Sequence, residues 1–503
     1  MLGRAGSRVG VPDEQEAVMA TSPSAALRER LDHPVIDADG HTIEFGPGVA
    51  EKLRVLAGDD AARRFQGAGG FGWYRMSPEQ RRDARLVRPP WWALPSENTL
   101  DRATAMLPRL LQDRLDETGI DFAVLYPSTG LFATAIENAE MRQAVCRAHN
   151  AYHAEAYAEI ADRAIPVAII PMRTPDEALA ELDHAVGELG MRAVMMEGCV
   201  RRPIAAAARD HPDAARWAVW IDNLCVDSPY DYDPVWQRCL DLGVAPAFHA
   251  GGMGWGSRTS PNNYMYNHIG HFGAAGETTC KAMFFGGVTR RFPELRCAFL
   301  EGGVGWAVGL FNDIVGHWEK RNRDAVQKYD PARLDQARLL ALLRERGGPV
   351  VARHDAELEA YVANQARRAA SDGVDDFAAA GIETSDDLVE RFVPHFFFGC
   401  EADDPANALA FDTRVNAFGV KLGAIFSSDI GHWDVPDITA VLEEAHELVE
   451  RDLLDDGDFR DFVFANTVRL YAGTNPKFFD GTIVEDACRV EFEAHAASPR
   501  SQT

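Results

Sequence analysis

The sequence predicts an α/β fold, a (β/α)8 TIM barrel with helical insertions, and three observations predict it. Short, nearly continuously apolar runs recur eight times along the 503 residues. Segments with apolar residues at helical spacing lie between them. Each run ends in polar or glycine residues, and these endings fall on the C-terminal rim where barrel enzymes carry their chemistry. An open doubly wound sheet shares the first two features; the count of eight and the polar endings favour the barrel.

The runs, in order, are PVIDADGH (34–41), DFAVLYPS (121–128), IPVAIIPM (165–172) and RAVMMEG (192–198), then VAPAFHAGG (244–252), LRCAFLEGG (295–303), HFFFGCE (395–401) and LGAIFSSD (422–429). Stretches such as DEALAELDHAVGELG (176–190) and DPVWQRCLDLG (233–243) supply the helical pattern between runs. Residues 1–33 read as a flexible lead, 34–488 as a single barrel domain, and 489–503 as a loose tail. Two insertions enlarge the domain. One, at about 45–118, is rich in Pro and Trp; the other, at about 316–392, is charged and reads as solvated outer helices.

Composition narrows the function. With 51 Lys+Arg against 77 Asp+Glu the formal charge is −26, which disfavours nucleic acid and anionic membrane surfaces as partners. No apolar window approaches a membrane span. The N-terminus has acids where a signal peptide would carry its apolar core, so a cytoplasmic protein is expected. The eight cysteines are scattered without a C-x-x-C pair, as expected of reduced, mostly buried thiols. A small-molecule substrate and a homo-oligomer complete the expectation.

The strand ends carry the chemistry. In VIDADGH, Asp37, Asp39 and His41 alternate and so share one face of a strand. The fifth run delivers His249 before glycines, the sixth Glu301 before two glycines, and the eighth Asp429. A single histidine or acid at a strand end is an ordinary structural group. Three carboxylates and two imidazoles at one mouth are different, because like charges in contact raise one another's pKa and a divalent cation relieves that repulsion.

IDADGH, HAGG, RFPELRCAFLEGGVGW and SSDIGHWD, taken in order, resemble the signature blocks of the amidohydrolase superfamily. The nearest branch is similar to the amidohydrolase-2 group, which includes aminocarboxymuconate-semialdehyde decarboxylase, hydroxybenzoate decarboxylases and hydrolases of ring-cleavage products. The resemblance implies metal ligation by Asp39, His41, His249 and Asp429. The fourth-strand lysine that bridges two metals in some members is absent, and Glu197 stands at that strand's end, so one divalent ion is expected: zinc first, manganese or iron also suited. Two positions depart from the family pattern. Asp39 replaces the usual His or Glu, and Glu301 stands where the decarboxylases have a catalytic histidine.

The leading expectation is a mononuclear metal-dependent hydrolase that cleaves a C–N or C–C bond of a small molecule, aromatic or derived from ring cleavage, with a metal-activated water. Asp429 and Glu301 are its catalytic candidates. The alternative is non-oxidative decarboxylation of an aromatic or dienoic acid, which would need a cation such as Arg173 or Arg258 for the substrate carboxylate. A barrel whose metal is only structural is a third reading. His268, His271, Trp255 and Tyr126 are candidate substrate contacts, the two histidines standing at helical i, i+3 spacing. His432 is a candidate partner of Asp429, Asp37 a hydrogen-bonding support and Trp306 a candidate wall. No G-x-S-x-G elbow or nucleotide-binding glycine pattern occurs.

Overall fold

A computed structural model describes residues 22–67, 76–90, 96–367 and 375–497. Each of the eight apolar runs forms a strand. In chain order these are β1 (Ile36–Thr42), β2 (Phe122–Pro127), β3 (Ala164–Ile170) and β4 (Ala193–Met196). An unanticipated antiparallel hairpin, β5 (Val200–Pro203) and β6 (Val219–Asp222), follows. The barrel resumes with β7 (Pro246–Phe248), β8 (Cys297–Phe299), β9 (Phe396–Glu401) and β10 (Gly423–Ser427). Adjacent barrel strands pair in parallel in the order β1-β2-β3-β4-β7-β8-β9-β10. Backbone bonds just past β10 bring the ends together: the His41 N–H donates to Ile430 O at 3.0 Å and the Asp429 N–H to Asp39 O at 3.2 Å.

The strands read as continuously apolar because both faces are covered. Every residue of β1, β2 and β3 is buried. Phe248, Phe299 and Phe398 are register partners on β7, β8 and β9, with ring centroids 5.4 and 6.1 Å apart. This row faces the surrounding helices, meeting Trp236 of helix Asp233–Leu242 and Trp306 of helix Gly305–Arg321. Strand alternation then turns His249, one residue beyond Phe248, toward the barrel axis.

The peripheral segments differ in part from the sequence reading. Within the stretch read as a lead, Pro23–Arg28 is a helix with Ser24 and Leu27 buried, and the Ser24 hydroxyl accepts the Leu442 N–H at 3.2 Å. Within the tail, helix Glu485–Ala497 buries Glu491, which pairs with Arg469 at 3.3 Å. Residues 1–21 and 498–503 of those two segments lie outside the described residues. In the second insertion, helix Gln336–Arg346 buries nothing, whereas helix Ser385–Phe392 drives Phe392 into the core against Phe311 and Phe396. The first insertion reaches across to the loop after β7: the Arg88 N–H donates to Ser260 O at 2.8 Å and Arg81 Nε to Pro261 O at 3.1 Å. Of its aromatic run, Trp91 and Trp92 lie outside the described residues.

Seven of the eight thiols are buried, Cys225 is half-buried, and all are free. Among the described residues no helix is long and apolar enough to cross a membrane.

Candidate metal centre at the barrel mouth

Asp39, His41, His249, Glu301 and Asp429 come from four strand ends and gather at the barrel mouth in two sets that share His41, one with Asp39 and His249 and the other with Glu301, Asp429 and His432. His41 Nε2 lies 3.2 Å from Asp429 Oδ1, 3.7 Å from Asp39 Oδ1 and 3.9 Å from Glu301 Oε1. His249 Nε2 lies 3.8 Å from Asp39 Oδ1 and 3.4 Å from Glu301 Oε2. The two imidazole rings are edge-on, 5.2 Å apart.

Local backbone geometry aims these groups. Glu301 and Asp429 are non-glycine residues in the left-handed region, with φ of 52° and 51°. That region is costly for a side-chain-bearing residue and is tolerated where the surroundings enforce it. Strict alternation from Phe299 would send Glu301 outward; the left-handed turn accompanies its approach to the mouth. On β1 the register with β2 slips between Asp37 and Gly40, and Asp37 fastens the bulge. Its carboxylate accepts the Asp39 N–H at 3.2 Å, the Ser428 N–H at 3.0 Å and the Ser428 hydroxyl. Asp37 thus ties β1 to the residue beside Asp429. Gly40 is required here, since a Cβ would stand 2.4 Å from Asp37 Oδ2.

The electrostatics fit a divalent cation. Burial, then Glu301 and Asp429, push the Asp39 carboxyl well above its ordinary range. Burial and then His432 hold His41 down to about 4; burial and then His41 depress His249 further. Both imidazoles are therefore neutral at pH 7, the form that ligates metal. Both Asp39 oxygens, His41 Nδ1, both nitrogens of His249 and Glu301 Oε2 are buried without a hydrogen-bond partner. Buried polar atoms rarely go unpaired, and so many gathered at one mouth suit an ion. The mixture of two imidazoles and three carboxylates fits zinc, manganese or iron.

His432 is more central than its sequence position suggested. Its Nδ1 lies 2.9 Å from both Glu301 Oε1 and Asp429 Oδ1, and its ring stacks on His41 at 3.7 Å. Although burial opposes it, the two carboxylates, Asp429 foremost, raise its pKa well above the ordinary value. The two acids are driven apart. Burial and then Asp429 push Glu301 up to about 8, whereas Asp429 is held low because His432, then His41, override its burial.

The remaining candidates fall at varying distances from the mouth. Tyr126 is fully buried, packs its ring against His41 and His249, and turns its hydroxyl toward that of Tyr471 at 3.4 Å. Trp255 lies half-buried in the loop after β7, against Gly252. His268 and His271 do not share a helix: one ends helix Tyr264–His268 and the other begins helix His271–Phe285, with left-handed Gly270 between them. Their rings are nevertheless 4.8 Å apart, and His268 also faces Trp433 at 6.2 Å. Trp306, half-buried, packs against Phe299 and Phe398. Glu197, at the end of β4, is half-buried, and desolvation raises its pKa to about 7.

A protein-family model described as Amidohydrolase matches residues 36–349. Among solved structures, an amidohydrolase from Mycobacterium avium subsp. paratuberculosis K-10 is similar at 15% identity, covering 88% of this chain and 98% of that one, with a TM-score of 0.49. A dihydroxybenzoic acid decarboxylase from Polaromonas sp. JS666, with bound manganese and 2-nitroresorcinol, is similar at 14% identity, covering 87% and 97%, with a TM-score of 0.46. The 4-oxalomesaconate hydratase of Rhodopseudomonas palustris is similar at 13% identity over 92% and 99%, with a TM-score of 0.42. No curated protein matches the chain.

Proposed function

Since the chain belongs to the Amidohydrolase family, whose model covers residues 36–349, we propose that it is a metal-dependent hydrolase acting on a small molecule. Asp39, His41, His249 and Asp429 would hold one divalent ion. Once bound, that ion would polarise a substrate carbonyl and ease the ionisation of water beside it.

The observation that carries the reading is the placement of His432 Nδ1 at 2.9 Å from two carboxylates whose pKa values are pushed in opposite directions. Acid and base roles follow from such a split. Asp429, ionised, takes the proton of the attacking water as the new C–O bond forms. Glu301, protonated up to about pH 8, gives its proton to the departing nitrogen or carbon. His432 holds the two carboxyl groups at a fixed separation and returns the proton from Asp429 to Glu301 between turnovers. No water is gained or lost beyond the one consumed by the bond cleaved.

The groups whose charges bear most on Glu301 are Asp429, His432 and Asp434. Zinc is the ion we assign.

The test is product analysis in oxygen-18 water with zinc-loaded protein, across a panel of aryl amides, ring-cleavage ketones and hydroxybenzoic acids. Hydrolysis puts one label into the product acid. Carbon dioxide released from an acid without label uptake would establish a carboxy-lyase instead and overturn the assignment.

A further inference from the structure

We propose that Glu44, His149 and His153 form a second, buried divalent-cation site that shares no ligand with the first. It does not depend on the reaction assigned above. The three residues come from two elements. Glu44 stands two residues past the end of β1, and helix Ala139–Ala156 presents His149 and His153 one turn apart on one face.

The geometry is that of a ligand set. One donor atom from each residue lies within 4.8 Å of the others, and His149 Nδ1 is 3.5 Å from Glu44 Oε1. All three are buried, His153 at 0% exposure. Glu44 is immobilised: its Oε2 accepts the Thr129 N–H at 2.9 Å and the Thr129 hydroxyl at 2.7 Å, and its Oε1 accepts the Gly130 N–H at 2.8 Å. The cradle is closely fitted, since a Cβ on Gly130 would stand 2.9 Å from Glu44 Oε1 and 2.7 Å from Ile169.

The imidazoles are what the protein alone leaves unsatisfied. His149 Nδ1 and both nitrogens of His153 are buried without a hydrogen-bond partner. A proton shared between His149 and Glu44 would satisfy the first histidine but leave His153 orphaned. A cation bound by the two imidazoles and the carboxylate satisfies all three at once, and that donor set belongs to zinc and its neighbours. Such an ion would pin the helix to the end of β1, where the Tyr157 hydroxyl already donates to Thr42 Oγ1 at 2.6 Å. Its role is to stiffen the strand that carries Asp39 and His41.

The experiment counts metal. Full-length protein is stripped with a chelator, reloaded with Zn2+ alone, exchanged into metal-free buffer and analysed by elemental mass spectrometry. Two equivalents per chain are expected in the wild type, one in His153→Ala, one in His249→Ala and none in the double variant. Zn2+ is also expected to raise the Tm of His249→Ala but not that of the double variant. Should His153→Ala lose its native circular dichroism, Glu44→Gln is counted in its place, with one equivalent expected. A single wild-type equivalent that His249→Ala removes overturns this second site while leaving the first intact. Two equivalents retained in His153→Ala or Glu44→Gln overturn it equally. A single equivalent removed by His153→Ala supports the second site and overturns the first.

Discussion

Replacing Gly40 with Ala tests whether the β1 bulge organises the mouth. The new methyl would stand 2.4 Å from Asp37 Oδ2 and 3.0 Å from Leu125 Cδ2, so the carboxylate must retreat by about 1 Å to reach ordinary contact. It is not free to do so, being held by two N–H groups and the Ser428 hydroxyl. Overpacking of this kind costs about 1–3 kcal/mol. Losing one hydrogen bond to an ionised acceptor costs about 1.5–3 kcal/mol more. Together they give a destabilisation of about 2.5–6 kcal/mol, measured by urea unfolding at fixed metal concentration. The strain also reaches Asp39, itself a proposed ligand, and Ser428, the neighbour of Asp429, so zinc affinity falls with stability. A double-mutant cycle isolates the cause: in Gly40→Ala/Asp37→Ala the clash has no target, and the two losses should fall short of additivity by at least about 1 kcal/mol. Full additivity, or a Gly40→Ala protein within about 0.5 kcal/mol of wild type, would falsify the steric account.

Asp429→Asn should lower kcat by about 10²–10⁴ or more while leaving stability nearly unchanged, because Asn tolerates the left-handed backbone; wild-type turnover would remove Asp429 from the chemistry. For Glu301, protonated below about 8, the wild-type rate should decline as pH rises through that value, and Glu301→Gln should be slow and flat there; a variant that keeps the alkaline decline points to another acid. Chelation should abolish turnover and Zn2+ restore it, and activity that survives complete demetallation would refute a metal-dependent reaction. Away from the site, buried His395 donates its Nδ1–H to Leu295 O at 2.8 Å, with its pKa lowered from 6.5 to about 4 by burial. The unfolded chain takes up that proton first as pH falls, so the contribution is intact above about 6.5 and is lost progressively toward 4, by on the order of 3 kcal/mol. Urea titrations at pH 7 and 4.5 should show a smaller acid loss in His395→Asn than in wild type, and equal losses would refute the assignment.

The sequence by itself determined the barrel. Eight buried parallel strands must be apolar on both faces, so each shows as a short unbroken run whatever its neighbours are, and all eight runs became strands. It also marked the strand ends from which Asp39, His41, His249, Glu301 and Asp429 project, because an acid or imidazole after such a run is visible locally. The β5–β6 hairpin was not legible, since VRRP and VWID are short and half polar. Nor was the burial of Phe392, in a segment whose charge suggested an outer helix.

Only the tertiary structure decided how the groups at the mouth act on one another. His432 is three residues from Asp429, a spacing the sequence shows, but its 2.9 Å approach to Glu301 joins positions far apart in the chain. The left-handed turns at Glu301 and Asp429 leave no mark in residue type. Asp37, Gly40 and Ser428 become a single unit only when β10 closes against β1. Pattern records whether a side chain faces core or solvent, which is a property of its own strand. Distances and pKa values depend on which distant strands are brought alongside, and closure of the barrel fixes that.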